Sequence, residues 1–263
     1  MSQTLTLVAS PKHAGPITAP ETAGATAREA AVCYARRFWY AMRRCWWSSY
    51  WRLNVRGLEN VPRRGPMLLC ANHTSHLDAP AILAAVPNET ALRTSTAAAK
   101  DVFGDHHWRD VVSRVVTNAL PIERGAGFSR GLRELEAVLD EGRPLILFPE
   151  GRRSTDGNLF EFKPGAAMLA LRTGTPIVPI HIAGADGSLP RGGYFPKPHA
   201  VSVHFGAPID PAPFIAAVEA GRMTRREAYD RITATLREAI LALRRAPAAP
   251  PTGHHRALRR LAA

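Results

Sequence analysis

Seven short apolar runs, each followed by a longer polar or amphipathic stretch, do most to limit what this 263-residue chain can fold into. They fall at 52–56, 66–71 ("PMLLCA"), 93–99, 118–122, 144–148 ("PLILF"), 176–182 ("PIVPIHI") and 200–205 ("AVSVHF"). Runs of that length, bounded by Pro, Gly and Asn, suit buried strands. Between them "APAILAAV" after Asp78, "FSRGLRELEAVLDEG" and "PGAAMLALRTG" read as helices, the last two each stopped by a glycine. Alternating strands and helices predict a single α/β domain with a largely parallel or mixed central sheet flanked by helices. The expected extent is 52–246. A helix over "TRREAYDRITATLREAILALRR" closes it, with Thr224 and Glu227 as a capping box.

The flanks differ in kind. Residues 1–27 are rich in Pro, Thr, Ala and Gly and read as a disordered lead-in, and 247–263 as a basic tail. Residues 28–51 hold four of the five tryptophans and three of the five tyrosines. Arg28, Arg36, Arg37, Arg43, Arg44 and Arg52 are interleaved with them. Three readings are open: an amphipathic helix lying on an anionic membrane surface, a stacking platform for single-stranded nucleic acid, and a helix packed on its own domain with a solvated basic face. The net charge of +12 suits either anionic partner. No stretch approaches 18 uninterrupted apolar residues and no secretory leader opens the chain, so neither a spanning helix nor export is expected. Cys33, Cys45 and Cys70 show no CxxC spacing, which argues against a zinc ribbon or a disulfide framework and fits a reduced compartment.

Chemistry concentrates in two stretches. In "NHTSHLD" (72–78), four residues separate His73 from Asp78. The interval alone decides little, because His181 and Asp186 repeat it. Context is more telling: the first pair follows an apolar strand, and open α/β sheets build their sites beyond the carboxyl ends of strands. A carboxylate returning to the imidazole fixes its tautomer and leaves the other nitrogen free to take a proton. Asp78 could equally cap the helix that follows. A metal site could use His73, His76 and Asp78 with His106 or His107. "GFSRG" places Ser129 in a G-x-S-x-G pattern, although Ser129 reads better as the N-cap of its helix. In "LILFPEGRRS" (145–154) a strand runs into a glycine turn, where Arg152 and Arg153 suit an anion such as phosphate.

Taken in order, "NHTSHLD", "AAKDVFG", "LPIERG", "FPEGRRS" and "IVPI" resemble the glycerolipid acyltransferase family typified by 1-acylglycerol-3-phosphate acyltransferase, over about residues 52–210. The resemblance implies that His73 is the general base and Asp78 its orienting carboxylate. It implies that Lys100, Arg124, Glu150, Gly151 and Arg153 help hold the acceptor's phosphate, and Arg152 joins them as the second arginine of the turn. It implies an acyl-CoA or acyl carrier protein thioester as co-substrate and a lysophospholipid acceptor, with lysophosphatidic acid leading. No metal, organic cofactor or nucleic acid is implied. The expected location is the cytoplasmic face of a membrane, held peripherally by residues 28–51 as an aromatic- and Arg-rich amphipathic helix on the anionic membrane surface. Cys70 is then a core thiol. Arg152 departs from the family's usual Thr, Pro121 stands where an aromatic or aliphatic residue is common, and "DHHWRD" (105–110) is unusually polar. A non-enzymatic membrane- or nucleic-acid-binding module would leave the ordered motifs unexplained.

Overall fold

A computed structural model describes residues 27–99, 115–122, 128–154, 157–189 and 196–246. All of the lead-in but its last residue, the tail, Lys100, His106, His107 and Arg124 lie outside the described residues. Strands occupy the seven expected places: β1 (Asn54–Arg56), β2 (Leu68–Ala71), β3 (Ser95–Ala99), β4 (Ala119–Ile122), β5 (Leu145–Leu147), β6 (Ile177–Ala183) and β7 (Ser202–Phe205). The helices are α1 (Ala27–Ser49), α2 (Asp78–Ala85), α3 (Asn88–Arg93), α4 (Phe128–Asp140), α5 (Gly165–Thr173), α6 (Ala185–Ser188), α7 (Ala212–Glu219) and α8 (Arg225–Arg245).

The strands form one sheet in the order β1-β7-β6-β2-β5-β3-β4. Every neighbouring pair is parallel except β6 with β7, so the sheet is mixed. In β2 the period-two geometry sends Leu68 and Cys70 to the core under α4, α5 and α8, while Leu69 and Ala71 enter the core under α1 and α2. All four are fully buried. A strand covered on both faces has no polar alternation, which is why the sequence there is a plain apolar run.

Helix ends follow local chemistry. Glu227 N–H donates to Thr224 Oγ1 at 3.2 Å and Thr224 N–H to Glu227 Oε2 at 2.7 Å, closing the capping box of α8. Gly174 ends α5 with φ 67°, a left-handed conformation that glycine adopts without penalty.

Two crossovers position the site. From β2 the chain runs through α2 and α3 on one face of the sheet, past β5, to β3. From β5 it runs through α5 on the opposite face, back past β2, to β6. The chain leaving β2 and the chain leaving β5 therefore cross to opposite faces of the sheet, and open α/β sheets build their sites beyond such strand ends.

Helix α1 is divided between two roles. Tyr40, Trp47 and Trp51 belong to the domain core, so packing begins before the expected boundary at residue 52. Arg43 was expected on a face presented to an anion, but it is buried. Its Nε donates to Leu83 O at 2.9 Å and its Nη2 to Val86 O at 3.5 Å, which satisfies carbonyls at the end of α2. The opposite side carries Tyr34, Phe38, Met42, Trp46 and Tyr50, one residue in four, all between 37% and 70% exposed. Among the described residues no helix is long and apolar enough to cross a membrane.

Candidate active site

The site starts where β2 runs out of apolar residues. Asn72 extends the ladder with its side chain, donating Nδ2–H to Ile182 O at 2.9 Å and accepting Ile182 N–H on Oδ1 at 2.7 Å. This buried amide ends the strand while holding its last residue to β6. His73 comes next, and the chain then turns into α2.

Asp78 is the first residue of α2 and does not cap it: Leu77 holds the N-cap position, without a side-chain bond. Instead the carboxylate bends back over the loop. Its Oδ2 accepts His73 Nδ1–H at 2.8 Å, Thr74 N–H at 2.7 Å and Ser75 N–H at 2.8 Å. Oδ1 is buried and has no hydrogen-bond partner among the described residues. Asp78 is fully buried, whereas the His73 side chain is 21% exposed. With Nδ1 engaged by Asp78, Nε2 is the ring nitrogen outside this pair. Phe148, the residue after β5, stacks on the imidazole with centroids 4.0 Å apart and planes 18° apart.

The loop after β5 grips the same histidine from its backbone side. His73 N–H donates to Glu150 Oε1 at 2.8 Å, and Ser154 N–H donates to His73 O at 2.7 Å. Phe160 N–H donates to Glu150 Oε2 at 2.9 Å. Glu150 therefore ties the two loops together. It is 2% exposed, and both its oxygens are engaged by the protein backbone. Burial pushes its carboxyl above the usual range, while the Phe160 and His73 N–H groups pull it back.

Gly151 has φ 68° and Arg153 is half-buried. Arg152 is exposed, with its guanidinium over the Phe160 ring, 4.0 Å from the centroid. Lys163, which sequence reasoning passed over, lays its side chain on Gly151: a Cβ built there would stand 3.1 Å from Nζ. Three cations thus stand at one turn beside the strand end that carries His73. Lys100 and Arg124 lie outside the described residues.

Among the described residues the rival constellations do not assemble. His76 is exposed, and among the described residues no group of three His, Cys, Asp or Glu could hold a metal ion. Ser129 is exposed inside the first turn of α4 rather than at its N-cap, and six residues separate it from the end of β4. A nucleophile elbow needs the serine directly off a strand. Cys70 is fully buried in β2, and burial pushes its thiol far above the ordinary range, as suits a core residue.

A buried carboxylate 2.8 Å from a strand-end imidazole, beside a cationic turn, is an arrangement suited to general-base chemistry. The Acyltransferase family model matches residues 52–183, half of the chain, and the protein belongs to that family. It is 30% identical over 166 residues to the chloroplastic 1-acyl-sn-glycerol-3-phosphate acyltransferase of Arabidopsis thaliana, covering 60% of this chain and 45% of that one. It is 25% identical over 175 residues to the 1-acyl-sn-glycerol-3-phosphate acyltransferase of Borreliella burgdorferi, covering 64% and 68%. The crystal structure of the 1-acyl-sn-glycerophosphate acyltransferase of Thermotoga maritima superposes with a TM-score of 0.60 at 25% identity, covering 84% of this chain and 85% of that one. The chain spans about half the length of the plant relatives it matches.

Proposed function

We propose that the protein transfers a fatty acyl group from an acyl-CoA or acyl carrier protein thioester to the free hydroxyl of a lysophospholipid, with 1-acylglycerol-3-phosphate as the leading acceptor. The observation that carries this reading is the 2.8 Å bond from His73 Nδ1 to the buried Asp78, with the ring's other nitrogen left at the accessible edge.

In this reading His73 Nε2 takes the proton as the acceptor oxygen attacks the thioester carbonyl. Asp78 stabilises the imidazolium that results. The tetrahedral intermediate collapses, the C–S bond breaks, and the departing thiolate takes the proton back from His73. A thioester is already activated, so no covalent acyl-enzyme is needed. Arg153, Arg152 and Lys163 would anchor the acceptor's phosphate, with Lys100 and Arg124 as further expected contacts. An anchored acceptor makes the attack effectively intramolecular.

An anionic membrane surface is the proposed partner of the outward face of α1. Its exposed ridge of Tyr34, Phe38, Met42, Trp46 and Tyr50, with exposed Arg37 alongside, suits the headgroup level of a bilayer. Acceptor and acyl chain both reside there, on the proposed cytoplasmic side.

The test is a panel of lysolipid acceptors offered with labelled acyl-CoA and with acyl carrier protein thioester. We expect a phosphate-monoester acceptor to be acylated fastest and His73→Ala to abolish transfer while Ser129→Ala leaves it intact. Unchanged turnover in His73→Ala would remove the reading.

A further inference from the structure

We propose that Arg43 serves the reaction as a positioning residue, clamping from α1 the far end of the helix that Asp78 opens. The inference rests on the reading of His73 and Asp78 as base and orienting carboxylate. Arg43 lies upstream of residues 52–183, the part that the family model matches.

Three observations carry it. The first is burial: Arg43 is 1% exposed, so its guanidinium faces the domain rather than a bilayer. The second is what it holds. Nε donates to Leu83 O at 2.9 Å and Nη2 to Val86 O at 3.5 Å, both at the C-terminal end of α2. On its own helix Nη1 donates to Tyr40 O at 2.6 Å, and the guanidinium lies over the Tyr40 ring, 4.6 Å from the centroid. One side chain is thus fixed to α1 and bridges to α2.

The third is α2 itself. It has eight residues, all buried, and no side-chain bond at its N-cap. A helix that short has little stability of its own, so what grips its ends decides where it stands. Asp78 supplies an anion in the first turn and Arg43 a cation at the other end, and the helix dipole favours both. Eight residues span only about 12 Å, so a shift at the Arg43 end is carried rigidly to Asp78. Little slack is left there, because Asp78 Oδ2 meets three N–H donors within 2.8 Å.

Arg43→Met tests this, since it keeps buried bulk and removes the donors and the charge. The acceptor is lysophosphatidic acid dispersed in detergent, so that vesicle binding plays no part. We expect kcat to fall about 30-fold with KM within about twofold. Flotation with anionic vesicles should match wild type. A normally melting variant with unchanged kcat, whether or not KM or flotation changes, would overturn the proposal. The proton of the His73 Nδ1–H···Asp78 bond gives a spectroscopic signature that lost stability alone does not move. It should shift in Arg43→Met, and an unshifted resonance would sink the claim. Arg43→Lys keeps the charge, but one ammonium cannot hold Leu83 O and Val86 O together, so kcat should fall about tenfold. This variant stands in where the methionine one fails to fold, and wild-type kcat in it would equally overturn the proposal. If the wild type transfers no acyl group, the functional reading fails, and the Nδ1 proton still decides the claim about Arg43.

Discussion

Asp78→Asn isolates what the buried carboxylate contributes. The substitution keeps volume and shape and removes one charge from a side chain whose Oδ2 gathers three N–H donors within 2.8 Å. An asparagine carbonyl can still accept them, but charge-assisted bonds are roughly twice as strong as neutral ones. Three bonds weakened by about 1 kcal/mol each would cost about 3 kcal/mol in the folded state. Against that, a fully buried anion with one unpartnered oxygen is no longer desolvated, which returns a cost of similar size. Folding stability should therefore shift by less than about 2 kcal/mol.

Catalysis has no such offset. When His73 takes the proton, the imidazolium forms 2.8 Å from a neutral amide instead of a carboxylate. At an effective dielectric near 20 that ion pair is worth about 6 kcal/mol. The 21% exposure of the imidazole lets solvent recover part of it, leaving about 4 kcal/mol, or a fall in kcat of about 10³-fold. An amide NH₂ turned towards Nδ1 would also select the wrong tautomer, which adds to the loss. Single-turnover transfer of labelled acyl groups onto lysophosphatidic acid measures this, with thermal unfolding run alongside. A kcat within tenfold of wild type, in a variant that melts normally, would refute the role given to Asp78.

Three further outcomes follow from the geometry. Burial first, then Arg244 and His204, pull the His181 pKa down to about 4, so the unfolded chain takes up this proton first. The unfolding free energy should hold above pH about 6.5 and fall by roughly 1–2 kcal/mol as the pH drops towards 4, after discounting for the partly exposed ring. Urea midpoints at pH 7 and 4.5 test this, and an equal loss in His181→Gln would contradict it. Lys163→Met should raise KM for a phosphate-monoester acceptor about tenfold while sparing kcat and the KM of an uncharged monoacylglycerol; equal effects on both acceptors would deny it a phosphate contact. Replacing Phe38 and Trp46 together by Glu removes about 3 kcal/mol or more of apolar insertion and should weaken flotation with anionic vesicles about 10²-fold, leaving the melting temperature near wild type.

The strands were legible because each is short, apolar and bounded by turn residues, and the capping box and glycine stops of α8 and α5 are local codes. Helix α1 was only half legible. Its composition announces aromatic and basic residues but not which face each takes, and nothing local says that Arg43 serves carbonyls of α2, some forty residues on. The contacts of Glu150 were hidden for a related reason. A Pro-Glu-Gly turn advertises a polar loop, while the N–H groups that claim its oxygens belong to His73 and Phe160, 77 and 10 residues away. Phe148 and Lys163 left no signal beyond an aromatic at a strand end and a lysine before a helix, because stacking and draping are set by where loops cross.

The repeated interval of four residues shows what made the base readable at all. His181 lies within β6, on extended backbone, and Asp186 is exposed on α6. Extended chain advances about 3.3 Å per residue, so a carboxylate five positions on is carried away from a strand histidine. His73 stands past the end of β2, where Asn72 has already closed the ladder and the chain is free to turn. The turn brings the first residue of α2 back over the imidazole, and the N–H groups of Thr74 and Ser75 hold the carboxylate there. Spacing becomes chemistry only where the strand stops. A histidine two residues beyond an apolar run, followed by small polar residues and an aspartate opening a helix, is therefore a stronger sign of a dyad than the interval itself.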